Sequence, residues 1–257
     1  MQAAVRAFLC LTVVSVLVAC ASSKSKSAAF APEIDPKDPL AGTRLMQQGQ
    51  ALVNEGKIAE GLERYQVALA LQPKNPTIHN LIGVAELQRR GAAQAVESFN
   101  RALALAPEYS DARNNRGAAY VQLGQFALAE ADFLAVLGDS THANRASVFF
   151  NLGSLYLSRG DPSAAEENLR RAAVPSGPIE AFLLLGQVEE RLGKQELAET
   201  AYRQGMAKAP ERPDLALALG KLLDSTGRKD EAREVFRRIL SVAPDSPEAR
   251  EARSLLE

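Results

Sequence analysis

Six glycines, Gly49, Gly83, Gly117, Gly153, Gly186 and Gly220, recur at spacings of 34, 34, 36, 33 and 34 residues. Twelve residues after each comes a small residue: Gly61, Ala95, Ala129, Ala165, Ala198 and Ala232. Four further on stands a large apolar one, Tyr65, Phe99, Phe133, Leu169, Tyr202 or Phe236. Three beyond that is a mostly small column of Ala68, Ala102, Val136, Ala172, Gly205 and Ile239. Pro73, Pro107, Pro175, Pro210 and Pro244 close the units, with Thr141 at that place in the third. Columns kept in phase over six periods mean that one structural unit is written six times.

The spacing within each unit is helical. Glycine inside a helix costs about 1 kcal/mol relative to alanine, so six of them imply a second helix packed where a Cβ would collide. The small residue of the second column is expected to meet that glycine, with the large one filling the remaining space. Gly56, Gly124, Gly160, Gly193 and Gly227 are placed to end the first helix in a left-handed cap. Proline then opens the link to the next unit, where its missing N–H does no harm. Helices of about twelve residues are marginal alone in water, so each unit needs its neighbours.

Composition agrees. Aromatic residues make up 5% and tryptophan is absent, a poor supply for a β-sandwich. With 30 lysines and arginines against 31 aspartates and glutamates the net charge is -1, which argues against nucleic acid held on a basic surface. Two histidines and two cysteines leave little for a triad or a zinc site.

The columns resemble the tetratricopeptide repeat, a helix–turn–helix of 34 residues. That resemblance implies an all-α, right-handed superhelical solenoid of six helix pairs over residues 42–246, divided as 42–75, 76–109, 110–143, 146–178, 179–212 and 213–246. The third unit lacks its proline and is followed by a short insertion, and the fourth closes irregularly on Pro175, Ser176, Gly177 and Pro178. A local change of superhelical pitch is expected there. Residues 247–257 read as a capping helix that presents Leu255 and Leu256 to the last apolar surface.

The N-terminus is an address. Arg6 precedes an apolar run from Ala7 to Ala19, about 20 Å of helix against a hydrocarbon core of about 30 Å. An export signal fits better than a membrane span. The run ends in Leu17, Val18, Ala19 and Cys20, which resembles the lipobox of bacterial lipoproteins. The resemblance implies cleavage of residues 1–19 and a diacylglycerol with an N-acyl chain on Cys20. Two or three acyl chains hold a protein to a bilayer almost permanently. Ala21 follows in place of aspartate, which by the family's sorting rule implies the outer membrane. Residues 20–41 carry serines, Lys24, Lys26, Pro32, Pro36 and Pro39 and read as a tether.

In a tetratricopeptide stack the first helices line the concave side. The places that face inward in this family hold Gln50, Asn80, Val84, Leu87, Asn114, Val121, Phe150, Leu157, Leu183, Gln187 and Leu217, with Met46, Ala118, Ser154 and Lys221 among them. Amides could bond a peptide backbone while apolar neighbours take its side chains. The lysine and asparagine clamp that chaperone-binding relatives use for a C-terminal carboxylate is missing. No cofactor and no metal are expected, and the partner is expected to be protein, with neither nucleic acid nor a small-molecule substrate. His79 reads as a packing residue. The acidic pairs Glu166–Glu167 and Glu189–Glu190 read as solvated faces with local ion pairs.

Signal, lipobox, tether and repeats together resemble the pilotin lipoproteins of type IV pili, the PilF, PilW and Tgl group. This implies a non-enzymatic factor that assists assembly or outer-membrane placement of the pilus secretin, PilQ, and so pilus-dependent motility. The alternative is a lipoprotein adaptor for peptidoglycan hydrolases or outer-membrane protein assembly.

Overall fold

The computed structural model describes residues 35, 38–140 and 142–257. The signal segment, Cys20, most of the tether and Thr141 lie outside the described residues. Those described contain thirteen α-helices and no strand. They are α1 (Ala41–Asn54), α2 (Ile58–Leu71), α3 (Pro76–Gln88), α4 (Ala92–Leu105), α5 (Ser110–Gln122), α6 (Phe126–Gly138) and α7 (Arg145–Ser158). There follow α8 (Pro162–Ala172), α9 (Glu180–Arg191), α10 (Gln195–Lys208), α11 (Pro213–Ser225), α12 (Lys229–Val242) and α13 (Pro247–Leu256). The first twelve pack as antiparallel pairs, each joined to the next through its second helix, in an all-α tetratricopeptide solenoid.

Helix starts follow local chemistry. Asn75, Asp161 and Ser246 each accept a hydrogen bond from a backbone N–H of the first turn, with proline at the next position. The first helices end in a left-handed residue whose following N–H reaches back, as from Lys57 to the Leu52 carbonyl at 2.9 Å. Five of these residues are the expected glycines, at φ between 70° and 81°. The second unit has Arg90 there instead, at φ 63°.

The large column is the core of the stack: Tyr65, Phe99, Phe133, Leu169, Tyr202 and Phe236 are all 2% exposed or less. A Cβ on Gly83 would fall 2.5 Å from Cε1 of Phe99, and one on Gly49 as close to Tyr65. The aromatic edge, and not chiefly the small residue of helix B, is therefore what requires glycine.

Successive first helices touch: α1 with α3, α3 with α5, α5 with α7, and α9 with α11. Second helices do not pack closely on one another, so the first helices take the inner side of the stack. One step is different, for α7 and α9 are not closely packed. Between them runs the irregular link, where Gly177 is buried and its carbonyl accepts from Lys208 Nζ.

The seal on the last unit comes from Ala249 and Ala252, both fully buried, with Leu256 packed partly against the same cluster. The sequence expectation is corrected here: Leu255 is 42% exposed. Adjacent residues on a helix point about 100° apart, so only one of the two leucines can face the stack.

Candidate partner-binding groove

The inner face is built from the same register of each first helix, and its residues divide by what they already do. Val84 and Leu87 on α3 pack partly against the Phe99 cluster. Val121 on α5 and Phe150 on α7 lean on the Phe133 cluster, and Phe150 with Leu157 also borders the Leu169 cluster. Each keeps part of its surface in solvent. Gln187 is exposed, and Leu183 is half-buried beside it.

The amides are less free than their residue types suggest. Asn80 is 8% exposed; its Oδ1 accepts from Asn115 Nδ2 at 3.0 Å, and its Nδ2 donates to the Tyr109 hydroxyl at 3.4 Å. Asn114 accepts from Asn151 Nδ2 at 3.0 Å. These bonds tie α3 to α5 and α5 to α7, so Asn80 belongs to the packing between units. Asn114 retains its amide N–H₂ group. Gln50 donates to Asn54 and accepts from the Tyr65 hydroxyl. Leu217 is 8% exposed and sits in the core of the last two units; only its edge reaches the groove. Asn115, Asn151 and Tyr109 were not expected from sequence, because their residue types give no sign that they bridge helices.

The remaining polar groups are structural. His79 is buried at 8% exposure, and desolvation with Arg101 nearby depresses its pKa, so it packs as a neutral imidazole. Arg116 makes a two-pronged pair with buried Asp132 at 2.7 and 2.8 Å. Of the acidic pairs, Glu167 and Glu190 are exposed as expected and Arg170 makes the local ion pairs, but the expectation needs correction for Glu166 and Glu189. Glu166 and Glu189 are 5% and 2% exposed, at the junction of α8, α9 and α10. Glu166 on α8 lies between α7 and α9, and Glu189 on α9 lies between α8 and α10, so both charges are covered. Glu166 is held ionised: burial opposes its charge, but hydrogen bonds from Lys194 and Arg170 outweigh it. Glu189 shares Arg170 at 3.5 Å, its Oε2 has no hydrogen-bond partner among the described residues, and burial pushes its carboxyl above the usual range. Among the described residues no group of acids, histidines and cysteines could hold a metal ion, and no helix is long and apolar enough to cross a membrane.

The geometry is that of a repeat scaffold whose concave face presents apolar steps and amides. The tetratricopeptide-repeat profile matches residues 46–110, 87–144, 114–178 and 150–213, and a second profile of the same description matches 192–256. The chain belongs to the tetratricopeptide-repeat family, whose members are in general protein-binding scaffolds. Among solved structures it is similar to PilW, described as a widely conserved type IV pilus biogenesis factor. The TM-score is 0.69 at 21% identity, over 82% of this chain and 97% of that one. PilF of Pseudomonas aeruginosa overlays with a TM-score of 0.65 at 19% identity, over 83% and 97%. Likeness at this identity establishes the shared fold. A curated relative, the lipoprotein NlpI homolog of Haemophilus influenzae, is 37% identical over 76 residues, 29% of this chain. The matched stretch spans about a quarter of that relative, 24% of its length.

Proposed function

We propose that this chain is an outer-membrane lipoprotein that serves as an assembly factor, a pilotin, for the type IV pilus secretin PilQ. It is anchored through acyl chains on Cys20 and binds secretin subunits along the concave face of its repeats. The observation that carries this reading is the overlay on PilW, a type IV pilus biogenesis factor, and on PilF, in which 82% and 83% of this chain cover 97% of each. The lipobox-like run ending at Cys20 supports the anchor. Nothing in this role asks for bond chemistry. A lipid-held scaffold that binds an exposed segment of a secretin monomer confines both to one surface and raises their effective concentration.

The test is capture from detergent-solubilised envelopes together with the Cys20→Ser variant. Secretin subunits are expected to co-purify with the wild-type chain. The variant is expected to leave the membrane fraction and to lower the amount of secretin multimer. Multimers undiminished in cells making only the soluble variant would overturn the anchored role. A second reading is a lipoprotein adaptor for peptidoglycan hydrolases or outer-membrane protein assembly; the identity with the NlpI homolog supports its lipoprotein class alone. Recovery of hydrolases without secretin would favour it.

A further inference from the structure

The groove changes character along its length. Each first helix carries four recurrent places, at six and three residues before the repeated glycine and one and four after it, of which Val53 in the first unit is buried in the core. Across the first four units Asp111 is the only charge at these places. In the last two they hold Glu180, Glu190, Asp214, Lys221 and Asp224. The charged half contains a cavity of about 310 Å³ between α9, α11 and α13. Leu183 and Leu217 form its apolar side, Gln187 offers an amide, and Glu190, Asp214, Lys221 and Glu248 stand around it.

The charges around this cavity are unevenly satisfied. Asp214 is saturated by Arg212, at 2.6 and 3.0 Å, and by the Leu215 N–H. Lys221 is paired with Glu251 at 2.5 Å. Glu190 accepts from the Tyr202 hydroxyl through one oxygen, and its other oxygen has no hydrogen bond among the described residues. Glu248 has no ion pair or side-chain hydrogen bond among the described residues. Two carboxylates thus retain acceptor capacity at the mouth of a half-apolar cavity, with the neighbouring cation already engaged.

We infer that this cavity takes a lysine or arginine side chain from an extended segment of the protein partner. The methylene stem lies on Leu183 and Leu217, the cationic head reaches Glu190 and Glu248, and Gln187 bonds the partner backbone. The neutral half of the groove takes uncharged residues of the same segment. A carboxylate head is rejected, because it would face two like charges. The inference rests on the concave face being the binding face proposed above, and it narrows the partner to one whose bound segment is basic at one end.

The test uses n-butylammonium, the lysine side chain without its backbone, on the full-length lipidated chain in a non-ionic detergent. Leucine methyl resonances are followed by NMR, with butyrate and n-butanol as matched probes. Butylammonium is expected to shift Leu183 and Leu217 saturably while Leu45, in the first unit, stays still. The paired variant Glu190→Gln with Glu248→Gln should weaken that binding about tenfold or more. Glu248→Gln alone, which leaves the Tyr202 bond intact, should weaken it less. Equal shifts from butyrate or butanol, cation binding undiminished in the paired variant, or no saturable shift would each overturn the inference. None of those results bears on whether secretin co-purifies, so the two readings fail separately.

Discussion

At the scale of single residues the repeat exposes its own exception. Five first helices end on glycine with positive φ, and the sixth ends on Arg90 in the same left-handed conformation at φ 63°. An L-residue there carries about 1–2 kcal/mol of strain, partly offset because glycine loses more freedom on folding. Arg90 is exposed, and no ion pair holds its side chain among the described residues. Arg90→Gly is therefore expected to stabilise the fold by about 0.5–1 kcal/mol, read as a higher urea midpoint by circular dichroism. An unchanged or lower midpoint would mean that the neighbouring packing already absorbs the strain. The glycine caps were legible in sequence because a missing Cβ is itself the signal. Arg90 was not, because nothing in an arginine announces a left-handed backbone; only its place 34 residues from Gly56 and from Gly124 could have done so.

At the scale of elements, period alone gave the pairing of helices, but it misjudged which charges are covered. Glu189 sits on α9 against α8 and α10, 2% exposed, with one oxygen lacking a hydrogen-bond partner among the described residues. Burial raises its carboxyl pKa in spite of Arg170. A carboxyl whose folded pKa exceeds its unfolded one contributes fully below the unfolded value, and that contribution is lost as pH rises through the folded one. Glu189→Gln keeps the acceptor for Arg170 and removes the buried charge. Relative to wild type the variant should gain stability as pH climbs from about 4, the ordinary glutamate range, toward neutrality. Glu166, whose pKa is lowered by Lys194 and Arg170, has the opposite sign. Glu166→Gln should cost stability at neutral pH, and the cost should fade as pH falls through the folded pKa. Urea midpoints of both variants across that range check the pair, and parallel curves would contradict the assignment. The sequence offered no warning, since Glu beside Glu and near Arg is also the pattern of a wet helix face. The seal on the last unit was hidden for a related reason. Ala249 and Ala252 do the covering, and small residues carry little hydrophobic signal compared with Leu255.

At the scale of the whole molecule, the stack has one joint, and the groove changes character across it. First helices pack closely from α1 to α7 and again from α9 to α11, whereas α7 and α9 meet only through side chains such as Phe149 and Ala181 of one core cluster. The neutral half of the inner face lies before that step and the charged half after it. On the proposed reading, a partner segment that spans both halves would follow the relative tilt of the two, and the link between α8 and α9 would set its register. Gly177 holds that link: it is buried, and a Cβ there would run into the Ala172 carbonyl oxygen and lie 3.2 Å from Ala146 Cβ. Backbone in the way cannot swing aside as a side chain can, so Gly177→Ala must shift the link itself. A loss of about 1–3 kcal/mol is expected from such overpacking. In a solenoid, stability passes only between neighbours, so the loss should fall on the junction and leave each half internally sound. Hydrogen exchange should then show α9–α13 opening separately from α1–α8, and urea unfolding should broaden or split. A single transition, with protection lowered equally in every helix, would mean that the joint is no weaker than the other steps of the stack.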